Sequence, residues 1–244
     1  MCAGAESVGA PAPKIGRMRT FLAVFLGFWL SGAAAQFLAP TPTRPDTLMS
    51  ALTSDVMATL RQDRAAGRAT DLARLVEERI VPVFDFPRMT SIALARNWRL
   101  ADGEQQAALV TQFKTLLVRT YSQALVEFRD QTIDYKPLRA AAGDTEVTVR
   151  SALRRPGVEP LTIDYEMADG LAGWKVYDVK LAGVSLVLAY RESFATIVRT
   201  SGIDGLIKEL ADKNRRNSAG TSGVDAAKLA PVLLILGGSR PAQP

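Results

Sequence analysis

Five aspartates, Asp85, Asp130, Asp134, Asp164 and Asp178, are the residues of this chain best suited to acid–base work. A carboxylate pair can protonate a leaving group and activate a water, as in glycoside hydrolysis. Nothing in their spacing makes any two converge, and a turn or a solvated face accounts for an acid at each position. Most other catalytic chemistry lacks its residues. There is no histidine, and the single cysteine is Cys2, so no Ser-His-Asp or Cys-His nucleophile system and no usual zinc ligand set can be assembled. Gly202-Ile-Asp-Gly205 lacks the strand-turn-helix context and the following lysine of a phosphate loop. It reads as a helix break with a new start at Asp204. A carboxylate-based α+β hydrolase or isomerase stays open as a minor reading.

The elements that must position any site change character near residue 132. Leu48, Leu52, Val56 and Leu60 recur every fourth residue and predict a first helix, which Gly67 ends. Thr70 or Asp71 can cap a second, carrying Leu72, Leu75, Val76 and Ile80 and limited by Pro82. A short third runs from Pro87 to Trp98. Asp102 with Gln105 forms a capping-box pattern ahead of the clearest helix, whose stripe runs through Leu109, Phe113, Leu116, Leu117, Tyr121, Leu125 and Phe128. A stripe that long needs an equally long surface, and the strands that follow are the expected one.

Short alternating runs come next: Ile133 and Tyr135, Val147 and Val149, Leu161 to Tyr165, and a strand from Trp174. Gly143-Asp144, Pro156-Gly157 and Asp169-Gly170 separate them as turns. Two closing helices, roughly Leu186 to Thr200 and Ile203 to Asn214, are broken apart at Gly202. Helices followed by consecutive strands predict an α+β fold: several helices on one face of a twisted antiparallel sheet of about four strands.

The ends read differently from the middle. Arg17 and Arg19, an apolar run from Phe21 to Leu30 and small residues Ser31 to Ala35 have the layout of a cleavable secretory signal. Residues 1–35 are therefore expected to be a signal peptide, with Met18 as an alternative start, 36–216 a single domain, and the Ser-, Gly-, Ala- and Pro-rich 217–244 a disordered tail. Cys2 leaves with the signal, so no internal disulfide is expected. The net charge of +5 falls further on cleavage, and no basic cluster is interleaved with aromatics. Nucleic acid is not an expected partner, whereas transient proximity to a membrane is compatible with a mild positive charge.

One run carries more information than any other. From Gly173 to Phe194 (GWKVYDVKLAGVSLVLAYRESF) the chain alternates with period two, with Trp174, Val176 and Asp178 opposite Lys175, Tyr177, Val179 and Leu181. It breaks at Gly183 and resumes at helical spacing through Leu186, Tyr190, Phe194 and Ile197. This run resembles the MlaC, or toluene-tolerance, family. Segments in the same order look similar too: Val76–Phe86 with its aromatic-Asp-aromatic turn, Met89–Arg99, Arg119–Leu125, Tyr190-Arg191 and Ile203–Leu210. The chain departs from the family at Val83, often His there, and at Ala95, where Gly is common.

The resemblance implies a periplasmic phospholipid carrier of the system that maintains outer-membrane lipid asymmetry, with no cofactor and a diacyl phospholipid as bound cargo. Implied partners are an outer-membrane lipoprotein and porin complex, and an inner-membrane ABC transporter with a substrate-binding ring subunit. Such a cargo exposes about thirty methylenes at roughly 0.8 kcal/mol each, on the order of 20 kcal/mol, so a carrier must enclose the tails. Its charged headgroup must stay wet at the mouth.

The expected cavity lies between the inner sheet face and the long-helix stripe. Its lining candidates are Trp98, Phe113, Leu117, Tyr121, Leu125, Val147, Val149, Ile163, Val176, Leu186 and Tyr190, with Arg119 and Arg191 as candidates for the headgroup at the mouth. Periodicity alone describes a closed core equally well. Arg139, Arg150, Arg154, Arg155, Lys175 and Lys180 are candidates for steering docking. A periplasmic receptor for a small solute is the competing reading. Such receptors alternate strands and helices, whereas this chain groups them.

Overall fold

The computed structural model describes residues 44–218. The expected signal segment, and all of the expected tail except residues 217 and 218, lie outside them. Helix α1 (Pro45–Ala65) starts with proline in its first turn, where the missing N–H leaves no bond unmade. Helix α2 (Leu72–Leu75) is capped by Asp71, whose carboxylate accepts the Arg74 N–H at 3.0 Å. It runs on through a π turn at Val76–Ile80 and a 3-10 turn at Val81–Val83 that contains Pro82.

Asp85 caps α3 (Phe86–Leu94) by accepting the Arg88 N–H at 2.9 Å. The chain then turns sharply at Ala95, φ 52° and ψ −125°, into a 3-10 stretch, Ala95–Leu100. Positive φ in a residue with a Cβ is strained, which is why the departure from glycine at this position matters. Helix α4 (Gly103–Phe128) opens with the expected capping box: the Gln105 N–H donates to Asp102 at 2.8 Å, and the Asp102 N–H to Gln105 Oε1 at 3.1 Å.

Five antiparallel strands follow in the order β1 (Thr132–Tyr135), β2 (Glu146–Arg155), β3 (Val158–Ala168), β4 (Lys175–Leu181) and β5 (Val184–Ser185). The sheet is therefore one strand larger than the sequence suggests, because two-residue β5 is too short to leave a periodic signal. Its turn, Ala182-Gly183, has positive φ at both residues (49° and 82°), as the twist of a tight two-residue hairpin requires.

Register places Ile133, Tyr135, Val149, Ser151, Leu153, Leu161, Ile163, Tyr165 and Met167 on one inner face. A β-bulge shifts pairing between Glu166 and Met167, so Val176 lies opposite Met167 while Val179 lies opposite Tyr165. Val176, Val179 and Leu181 thus share a face that strict alternation divides, because an extra residue in a bulge reverses the side-chain phase.

Helix α5 (Arg191–Ser218) is two helices in one: Gly202 sits at φ 72°, ψ −175° between them, at the break expected from sequence. The reversal lays both halves along α4. Tyr190 and Phe194 pack on Phe113, while Gln105 reaches Asp204 at 2.8 Å and Asn214 reaches Gln112 at 2.9 Å. Leu109, Phe113, Leu116 and Leu117 of the α4 stripe consequently meet α5 and α3, while Leu125 meets the cluster that joins α1 to α2. Helix α1 covers the inner sheet face, through Leu48, Met49 and Leu52.

Candidate functional site

The buried apolar side chains of sheet and helices form separate clusters. The sheet cluster contains Val147, Val149, Leu153, Leu161, Ile163, Met167, Val176 and Val179, with Met49 from α1. The helical cluster gathers α3, α4 and α5 around Leu94, Leu109, Phe113, Leu116 and Leu206. A third and smaller one, Val56, Met57, Leu60 and Leu75, joins α1 to α2. Phe84 packs against both the helical and the sheet clusters, and Ile133 against both the sheet cluster and the third.

The sequence-derived lining candidates divide along this seam. Val147, Val149, Ile163 and Val176 are buried in the sheet cluster, with Leu186 at its margin. Phe113, Leu117 and Tyr190 are buried in the helical cluster, with Trp98 and Tyr121 at its margin. Leu125 belongs with the third cluster. Phe113 is held by rings, 5.1 Å from Tyr190 and 5.3 Å from Phe194 in edge-on contacts.

Polar groups also face inward. The Tyr135 hydroxyl lies 2.6 Å from Thr53 Oγ1 and donates to the Met49 carbonyl at 3.0 Å, and Ser151, fully buried, donates to the Ile163 carbonyl at 2.9 Å. Burial pushes the Tyr165 phenol well above its ordinary value, reinforced by the neighbouring Tyr135 and opposed by Ser151. Burial likewise raises Tyr121, and its hydrogen bond with Tyr190 partly offsets this. Neutral hydroxyls satisfied in this way add no charge to the inner surface.

The two arginines expected at a headgroup have protein partners. Arg119 Nη1 donates to the Asn214 carbonyl, and Arg191 Nη2 to the Ile92 carbonyl at 3.0 Å near the end of α3. Both sit on carbonyls near helix C-termini, where a cation is favoured. Among the residues considered for docking, Arg154 pairs with Asp134, Lys180 with Glu166 at 2.6 Å, and Lys175 with the Pro82 carbonyl.

The five aspartates are dispersed, and none of them faces another. Asp85 is a helix cap, Asp130 pairs with Arg64, Asp134 with Arg154, and Asp164 lies across the ladder from Arg150 and Lys180. Asp178 is buried, and its Oδ1 accepts the N–H groups of Val179 at 2.8 Å and Val187 at 3.3 Å. Burial raises its pKa, against the opposing hydrogen bonds of Ser185 and these amides. Among the described residues no group of three or more potential ligands could hold a metal ion, and no helix is long and apolar enough to cross a membrane.

Sequence reasoning missed Phe84 as a residue that joins the helical and sheet clusters. Its signal was the aromatic-Asp-aromatic turn at residues 84–86. It also missed the exposed apolar surface at Val184 and Leu188, whose signal is a stretch without acids running through a glycine turn.

An open five-stranded antiparallel sheet with helices packed on it defines an α+β protein. The chain belongs to the MlaC protein family, whose model matches residues 50–212. It is 25% identical over 192 residues to the intermembrane phospholipid transport system binding protein MlaC of Haemophilus influenzae, covering 76% of this chain and 89% of that one. It is also 25% identical over 189 residues to toluene tolerance protein ttg2D of Pseudomonas putida, covering 73% and 87%. A solved phospholipid-binding protein from Ralstonia solanacearum, in complex with a phospholipid, is similar at 38% identity and a TM-score of 0.65, covering 72% of this chain and 99% of that one.

Proposed function

We propose that this protein carries phospholipid through the periplasm between outer and inner membranes, without covalent chemistry, and so helps keep the outer membrane asymmetric. The observation that carries this reading is the separation of the inner-sheet and helical apolar clusters in a chain that matches a phospholipid-complexed relative over nearly all of that relative's length. Acyl chains lie between those layers, against Val147, Val149, Ile163, Val176 and Leu186 on the sheet side and Leu117, Tyr121 and Tyr190 on the helical side. Trp98, Phe113 and Leu125 complete the lining set. The headgroup stays in water at the mouth, with Arg119 and Arg191 as its candidate contacts.

Residues 1–35 act as the cleaved export signal, 36–216 as the carrier domain and 217–244 as a tail. Loading and unloading take place at an outer-membrane lipoprotein and porin complex and at an inner-membrane ABC transporter with a ring-shaped binding subunit. Release at a partner needs differential affinity between docked and free states. The test is extraction of purified protein followed by lipid mass spectrometry, with uptake of fluorescent phospholipid from vesicles in parallel. One phospholipid per chain is the expected result. Protein that is empty and takes up none overturns the reading.

A further inference from the structure

The turn that links α3 to α4 leaves its charges unmatched. In a 3-10 stretch, side chains three residues apart stack on one side, and Ala95–Leu100 uses that period to sort its residues. Trp98 packs at the margin of the helical cluster, and Ala101, just beyond the stretch, is buried in it. Arg96 and Arg99 stand one position on from that side and are both exposed, and Leu100 beside them is 66% exposed.

Neither arginine has a carboxylate or hydrogen-bond partner among the described residues. The nearby Asp102 is committed to the cap of α4. Elsewhere the guanidiniums are met: Arg74 by Glu78, Arg79 by Asp55, Arg88 by Glu146, and Arg191 by the Ile92 carbonyl. Two like charges at this spacing repel each other, and an exposed leucine beside them gains nothing from water. The turn is nevertheless held fast, because Gln106 Nε2 donates to the Trp98 carbonyl at 3.2 Å and to the Ala101 carbonyl at 3.1 Å. Both cations are therefore presented on fixed backbone.

We propose that Arg96, Arg99 and Leu100 are the contact by which the protein rests on the surface of an anionic phospholipid bilayer, an inference that holds whether or not the protein encloses a lipid. The guanidiniums meet lipid phosphates in charge-assisted hydrogen bonds, while Leu100 enters the boundary between headgroups and acyl chains. A bilayer offers anionic and apolar surface side by side without any matched partner. A stable protein interface instead needs about 800 Å² per partner, far more than one short turn presents. Two cations and one leucine fall short of a permanent anchor, so the contact is reversible and sensitive to salt.

The experiment measures cosedimentation of the purified protein with phosphatidylglycerol and with phosphatidylcholine vesicles at low ionic strength. Wild type is compared with Arg96→Gln/Arg99→Gln, Arg96→Lys/Arg99→Lys and Leu100→Ser. Lys136→Gln/Arg216→Gln is the control, removing the same charge from exposed positions on other elements. Circular dichroism and thermal melts establish folding, and Arg99→Gln alone replaces a double variant that fails to fold. Wild type should prefer phosphatidylglycerol and release it as salt rises. The Gln pair should bind roughly tenfold or more weakly, Leu100→Ser should also weaken, and the Lys pair and the control should stay near wild type. A wild type without that preference, a Gln pair that binds normally, or equal loss in the control overturns the contact. A Lys pair as weak as the Gln pair also overturns it, because an anionic surface reads charge while a matched protein partner reads guanidinium geometry. Phospholipid content of the same preparations reports the carrier reading separately, so either can fail alone.

Discussion

Phe84 and Val176 form a parallel bridge at the edge of β4, completed by the Asp85 N–H donating to the Val176 carbonyl at 2.8 Å. The Phe84 ring stacks on Phe86 at 5.9 Å and touches both the helical and the sheet clusters. One residue therefore fastens backbone to sheet and side chain to both layers. Phe84→Ala should lower unfolding stability by about 2–4 kcal/mol, since the ring is partly rather than fully buried. Urea denaturation measures it, and a loss below about 0.5 kcal/mol removes Phe84 from this role.

Ala95 holds a φ of 52° at the exit from α3. Ala95→Gly relieves this strain but gives the unfolded chain more freedom. Relief should dominate, raising stability by about 1 kcal/mol. A lower melting temperature for the glycine variant would show that the turn is not strained.

The α5 reversal needs glycine twice, for different reasons. Gly202 has a backbone conformation that residues with a Cβ rarely adopt, and a Cβ on Gly205 would fall inside van der Waals contact of Ser201 Cβ. Gly202→Ala and Gly205→Ala should each cost about 1–3 kcal/mol. Thermal melts of the single variants check this, and unchanged melting of Gly205→Ala would mean that Ser201 yields freely.

Asp178 has a folded-state pKa raised above its ordinary 3.8 by burial. Protonated, it contributes stability that is fully present below the unfolded value and lost as pH rises through the folded one. Asp178→Asn removes this dependence. The stability of the Asn variant relative to wild type should therefore increase as pH climbs from about 3.8 through the raised pKa. Parallel pH series of denaturation curves measure it; a difference that stays flat or falls would show that the amide hydrogen bonds outweigh burial.

Val149 lies on the inner sheet face and is nearly inaccessible. Against a lipid-filled space, Val149→Trp should fold with its stability lowered by no more than about 1–3 kcal/mol and co-purify with markedly less phospholipid. Native lipid content with intact folding would take Val149 out of the lining.

Much was legible from sequence because it is local. Asp71 and Asp102 cap helices through carboxylates that reach amides three residues on, and Pro156-Gly157 and Gly202 turn the chain by their own backbone preferences; Asp85 caps α3 in the same way, but the sequence shows it only as a turn or surface acid. Most helix and strand positions, the α+β class and the break in α5 follow from interactions of this range, whereas two-residue β5 and the start of α5 at Arg191 rather than Leu186 do not. The candidate site was legible only as a set of apolar residues, since a stripe records that a face avoids water but not what it meets.

Tertiary structure decided the partners. It set most of the α4 stripe against α5 and α3, put α1 on the sheet, and used a bulge to bring Val176 and Val179 onto one face. It seated Arg119 and Arg191 on carbonyls and left Val184 and Leu188 outside. Capping and turn energies are fixed within a few residues, whereas hydrophobic burial is non-directional and indifferent to which apolar surface supplies the contact. Only simultaneous packing of all elements selects among the possible pairings.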